Sequence, residues 1–180
     1  MGAEEWLQRE LLARRIVLVT GVLTPDRAAA AAAALMALDA ADRAPIVLHL
    51  DSGDGALDAA FTLIDAAAAL SAPLHVWCRG QVGGPVVGLL GVAERCAAAP
   101  HARFHLRQPS TRFDGTPDEI AAQSRLQQDL LWRLYALLAR RTGRPAEEIA
   151  EDMRRGVHLS AEEARVYGLI EGVMGRAGQV

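Results

Sequence analysis

The sequence predicts an α/β fold in which a mainly parallel sheet is flanked by helices. Three observations carry this. Short β-branched runs alternate along the chain with stretches of helical spacing. The runs 16–20, 46–50 and 74–78 are almost solidly apolar, as strands of a covered parallel sheet are. Gly-rich turns at 51–55 and 80–88 follow the second and third runs, at the carboxyl ends of strands, where such folds place their sites.

Each element follows from local chemistry. Trp6, Leu7, Leu11 and Leu12 recur at helical spacing and predict a short helix over 4–14. Ile16-Val17-Leu18-Val19-Thr20 is a β-branched run and predicts a buried strand ended by Gly21. Thr24-Pro25-Asp26 pairs an N-cap with a proline at the first helical position, opening a helix to about residue 42. Pro45 precedes the second strand, Ile46-Val47-Leu48-His49-Leu50, and a helix over 56–70 comes after its Gly-rich turn. The third strand ends at Cys78; the turn beginning at Gly80 leads into a helix over about 85–93. Arg103-Phe104-His105-Leu106-Arg107 alternates and predicts a fourth, half-covered strand.

Beyond it, Thr116 with Glu119 forms a capping box for a long helix over 117–141, stopped by Gly143. A helix follows over 146–154, and Ser160 with Glu163 caps another that Gly168 ends. Residues 169–174 read as a last strand or edge. The 180 residues make a single domain, 1–180.

Composition narrows the function. The net charge of −3 provides no basic face, which argues against nucleic acid as a partner. No stretch is long and apolar enough for a membrane span, and the acidic start is unlike a signal peptide, so a cytoplasmic location is expected. Cys78 and Cys96 read as small buried hydrophobes, and no Cys/His cluster has metal-ligand spacing, so neither metal nor cofactor is expected.

A set of ordered motifs goes further. Leu50-Asp51-Ser52-Gly53-Asp54-Gly55 looks like the pattern I-N-S-P-G-G, and Gly80-Gln81-Val82-Gly83-Gly84-Pro85 looks like G-Q-A-A-S-M. His105-Leu106-Arg107-Gln108-Pro109 looks like M-I-H-Q-P, and Thr142-Gly143 with Asp152-Met153-Arg154-Arg155-Gly156 looks like T-G and D-x-D-R-D. Leu159-Ser160-Ala161-Glu162-Glu163-Ala164 and Tyr167-Gly168-Leu169-Ile170 match F-[LM]-S-A-x-E-A and Y-G-L-[IV]-D. In this order and spacing the chain resembles the proteolytic subunits of the Clp protease (ClpP), of the ClpP/crotonase superfamily. The resemblance implies a repeated β-β-α superhelix with a long handle helix, here 117–141.

Active members of that family are serine peptidases with a Ser-His-Asp triad. Carried over residue by residue, the serine position is Gly84, the histidine position Arg107 and the aspartate position Gly156. Gly84 has no nucleophile, Arg107 stays protonated and cannot serve as a base, and Gly156 cannot orient an imidazole. The family's oxyanion hole takes two backbone N–H groups, which fall on Gly55 and Pro85; proline has none to give. Asp54 replaces the turn's other glycine and brings a carboxylate toward the oxyanion position. An Asp54–Arg107 ion pair filling the former site is therefore predicted. Ser52, Ser110, Thr111, Cys78, His101, His105 and His158 read as ordinary strand, turn and cap residues.

The resemblance also implies rings of seven, stacked in pairs. The handle's apolar face would be Leu126, Leu130, Leu131, Leu134, Leu137 and Leu138. Ring–ring contact candidates are Gln108, Arg154 and Arg155, with Arg154 standing where the family has an acid. The expectation is a catalytically inactive ClpP-like subunit, in a homo-oligomeric ring or a mixed ring with an active ClpP paralogue. Docking of an unfoldase ATPase is in doubt because little chain precedes Trp6. The alternatives are an acyl-CoA-handling enzyme of the crotonase branch, a ClpP-type peptidase with non-standard residues, and an unrelated interaction module.

Overall fold

The computed structural model describes residues 2–110 and 113–175, leaving aside the side chains of Ala3 and Glu4. Helix α1 (Ala3–Ala13) leads into β1 (Ile16–Thr20), α2 (Pro25–Ala41), β2 (Ile46–Ser52), α3 (Leu57–Ala68) and β3 (Leu74–Gly83). A 3₁₀ helix (Gly84–Gly91) precedes β4 (Arg95–Ala98), β5 (Arg103–Leu106), α4 (Pro117–Thr142), α5 (Ala146–Arg155), β6 (Val157–Ser160), α6 (Ala161–Tyr167) and β7 (Gly172–Val173).

The sheet runs β1-β2-β3-β4-β7, all parallel. Strand β3 splits its partners. Its first half, from His75 to Cys78, pairs with β4; its second half, Gln81 to Gly83, pairs with β5. The switch lies at Gly80, whose φ of 54° lets the strand bend. Strand β5 in turn pairs antiparallel with β6, setting His105 opposite His158.

Alternation explains the core. Val17 and Val19, Ile46, Leu48 and Leu50, Leu74, Val76 and Cys78, and Cys96 and Ala98 are buried on one face, under the helices. The solid apolar run predicts a buried strand at β1. That is corrected: its burial alternates, and Leu18 is 39% exposed, while Trp77 and Ala97 further along the same face are buried. Leu134 and Leu138 of α4 are fully buried, and Leu130, Leu131 and Leu137 pack against the core. Leu126 departs from the expected apolar face, at 62% exposed.

The predicted caps are present. Thr116 and Ser160 each accept from the N3 backbone amide while Glu119 and Glu163 reach back to the cap N–H. Four segments differ from expectation. Strand β3 continues through Gly83 where a turn was expected from Gly80, since its outer half finds a new partner in β5. The expected helix over 85–93 is a 3₁₀ helix from Gly84 to Gly91. Strands β4 and β6, four residues each, were not foreseen.

Candidate functional site

The site forms where β2, β3 and β5 end together. An open groove of ≈ 670 Å³ is lined by Gly21, Val22, Asp51, Gly53, Asp54, Gln81, His105 and Arg107. None of these side chains carries a hydroxyl or thiol.

The turn after β2 is tightly held. The Gly21 amide donates to the Asp51 carbonyl and the Leu23 amide to the Asp54 carbonyl, both at 2.9 Å. The Ser52 hydroxyl, fully buried, donates to the Asp54 carbonyl at 3.0 Å. That bond and its burial leave Ser52 a structural role. The Asp51 carboxylate accepts from the Gln81 amide at 3.0 Å and so ties the turn to β3.

On this platform Asp54 projects its carboxylate into the groove. One oxygen, Oδ1, accepts from the Gly55 amide at 2.8 Å. The other, Oδ2, is ion-paired with Nη2 of Arg107. The predicted pair is thus present. The two side chains are 40% and 28% exposed, so the pair lies at the rim and not in the interior.

Gly84 directly follows β3 and opens the 3₁₀ helix with φ of 56°, the left-handed region that disfavours any side chain. A Cβ placed there would lie 3.0 Å from Asp54 Oδ1. Pro85 follows, buried and without an amide hydrogen. So Gly84, Pro85, Gly55, Asp54 and Arg107, distant in sequence, are brought to one place. Gly156 is also close: it is the left-handed C-cap of α5, and a Cβ on it would lie 3.5 Å from His105 Nε2.

His105 is the residue whose role was underestimated. Its ring stacks on His158 with centroids 3.8 Å apart and planes 16° apart. Its pKa is lowered, first by burial, then by repulsion from His158 and Arg107, with Asp54 opposing. This lowering favours the uncharged ring. Its signal in the sequence was the i, i+2 spacing to Arg107, but His158 joins it only through the unforeseen β6.

The other candidates lie elsewhere. Cys78 is buried within β3 and its thiol is pushed well up by burial, the reverse of an activated nucleophile. His101 and Ser110 are exposed in loops, and Thr111 lies outside the described residues. Gln108 bridges elements: its amide donates to the Met153 carbonyl at 3.0 Å and its Nε2 to the Tyr135 hydroxyl at 2.9 Å. Arg154 and Arg155 are exposed, and Arg154 bonds Glu151 one turn back at 2.7 Å. Among the described residues no group of three His, Cys, Asp or Glu side chains could hold a metal ion. Among them, too, no helix is long and apolar enough to cross a membrane.

Comparison with known proteins agrees with this architecture. The family model described as Clp protease matches residues 2–177. Over 167 residues the chain is 29% identical to the ATP-dependent Clp protease proteolytic subunit 1 of Bacillus cereus, covering 91% of this chain and 86% of that protein.

Proposed function

The chain belongs to the Clp protease family, and we propose that within it this is a catalytically inactive subunit with a structural or regulatory place in a ring. The observation that carries this is the state of one strand-to-helix elbow. At Gly84 the left-handed geometry that exposes a nucleophile is kept while the side chain is absent. The surrounding groups support the same reading. Peptide hydrolysis by the family route needs a hydroxyl, a base and two oxyanion donors. Here the groove's side chains include no hydroxyl, Arg107 cannot take a proton, and Pro85 lacks an amide hydrogen. The remaining donor, Gly55, already bonds the Asp54 carboxylate. A carboxylate held there would repel a developing oxyanion.

Ring assembly is supported by the open face of β1. Leu18 of β1 and Leu7 of α1, which line one groove, leave apolar surface exposed, which a neighbouring subunit would bury. The neighbour is either a copy of this chain or a triad-bearing paralogue in the cytoplasm. Arg154, Arg155 and Gln108 at the α4–α5 end would face the second ring, with Arg154 replacing an acid and so weakening pairing of rings.

Native mass spectrometry of the protein taken from its own host, with peptide turnover measured on the same sample, tests the proposal. It predicts an oligomer, with turnover only when a second subunit bearing the triad co-purifies. A pure homo-oligomer that hydrolyses peptides would overturn it and favour a peptidase with non-standard residues, His105 being the available base. A rise in melting temperature with acyl-CoA would favour the crotonase-type alternative.

A further inference from the structure

We propose that the groove at Asp54 and Arg107 is a receptor for the C-terminal carboxylate of a peptide, held closed by the protein's own Asp54. The proposal rests on the non-cleaving reading above, since a site that hydrolysed peptides would not retain them.

The argument starts from what surrounds Asp54. Two donors of different kinds converge on its carboxylate: the Gly55 amide on Oδ1 and the Arg107 guanidinium on Oδ2. An arginine with a fixed backbone N–H is an arrangement that recognises a planar carboxylate. The amide is pre-placed, because the turn is pinned through the Asp54 carbonyl by Leu23 and Ser52. Those bonds use the main chain of Asp54, so its side chain can swing away without unmaking the turn.

Exchange is physically accessible. Both partners of the ion pair reach solvent, and exposed pairs of this kind are weak. Asp54 therefore acts as a tethered competitor whose strength is its effective concentration. The groove is large enough for a few residues of ligand. Gly21 and Gly53 bring no side chains of their own to its walls, and Arg27 and Gln81 pack beside them. Val22 is the one apolar side chain of the lining, which offers little to grip a side chain.

Ligand-observed NMR titration of the full-length protein tests this, with acetyl-Ala-Leu-Ala as free acid, the same peptide as C-terminal amide, and acetyl-Ala-Glu-Ala amide. The free acid should bind more tightly than either amide. Asp54→Asn should strengthen free-acid binding by about three- to tenfold, as loss of a weak tethered competitor requires. Arg107→Gln should abolish the preference in both backgrounds. Circular dichroism spectra matching the wild type show that the variants are folded, and Asp54→Ser serves if the asparagine variant is not. Equal binding of acid and C-terminal amide overturns the proposal. So does equal binding of the Glu-containing amide, which would assign the cradle to side-chain carboxylates. Hydrolysis of the peptides would overturn inactivity itself, whereas neither hydrolysis nor binding would overturn this inference alone.

Discussion

Restoring a hydroxyl at the elbow should not restore proteolysis. In Gly84→Ser the new Cβ would sit 3.0 Å from Asp54 Oδ1, in a backbone with φ of 56°. A left-handed non-glycine residue costs about 1–2 kcal/mol, which in a domain of this size lowers Tm by roughly 2–8 °C and leaves the protein folded. On the proposed reading the family chemistry would still be incomplete. If Arg107 leaves the reaction without a positioned base and Pro85 without an oxyanion donor, as proposed, the first forgoes about 10²–10⁴ in rate and the second about 10²–10³ more. Together the variant should stand about 10⁴–10⁷ below a triad-bearing relative, before counting the Asp54 carboxylate against the oxyanion. A fluorogenic dipeptide or tripeptide assay, run beside such a relative, reads this directly. The substituted protein should be indistinguishable from wild type. Turnover within about 10³ of the relative would refute the reasoning, because it would mean that a base and an oxyanion hole survive.

Further outcomes follow from the packing and the titrating groups. Gly88 sits inside the 3₁₀ helix, where a Cβ would come within 2.5 Å of Leu134 Cδ1 and 2.7 Å of Ile64 Cδ1, both in the core. Gly88→Ala should therefore lose about 1–3 kcal/mol in denaturant unfolding, and an unchanged midpoint would contradict this packing. Thr116→Ala removes the cap of α4 and should lose about 1 kcal/mol, read the same way. His105 has a lowered folded pKa, so the unfolded chain takes up that proton first. Its contribution is full above the unfolded value near pH 6.5 and is lost as pH falls from there through the lower folded value. Tm should thus fall more steeply between about pH 7.5 and 5.5 in wild type than in His105→Gln; equal slopes would count against a lowered folded pKa for His105.

Much of this was legible in the residues. The β-branched runs placed β1, β2 and the inner half of β3, because a covered strand must be apolar. The boxes Thr116/Glu119 and Ser160/Glu163 fixed two helix starts to the residue. Opposite charges on the turn after β2 and at the end of β5 foretold the Asp54–Arg107 pair. The rest depended on pairing between distant segments. Gly80 to Gly83 reads as a turn by composition, yet it is strand because β5 lies beside it. Strand β4, Arg-Cys-Ala-Ala, is alanine-rich and has no strand signature of its own. Val157-His158-Leu159-Ser160 is too short to stand out, and without it the stacking of His158 on His105 could not be seen. The open face of β1 was also hidden, since an apolar run looks the same whether its own chain or another covers it.

The central claim is that this member of the Clp protease family has no nucleophile to offer. Intact-mass measurement of the purified wild-type protein after incubation with a fluorophosphonate tests it most directly. The account predicts an unchanged mass at probe concentrations that fully label a triad-bearing relative in the same tube. A single stoichiometric adduct, mapped to any serine or threonine of this chain, would contradict it.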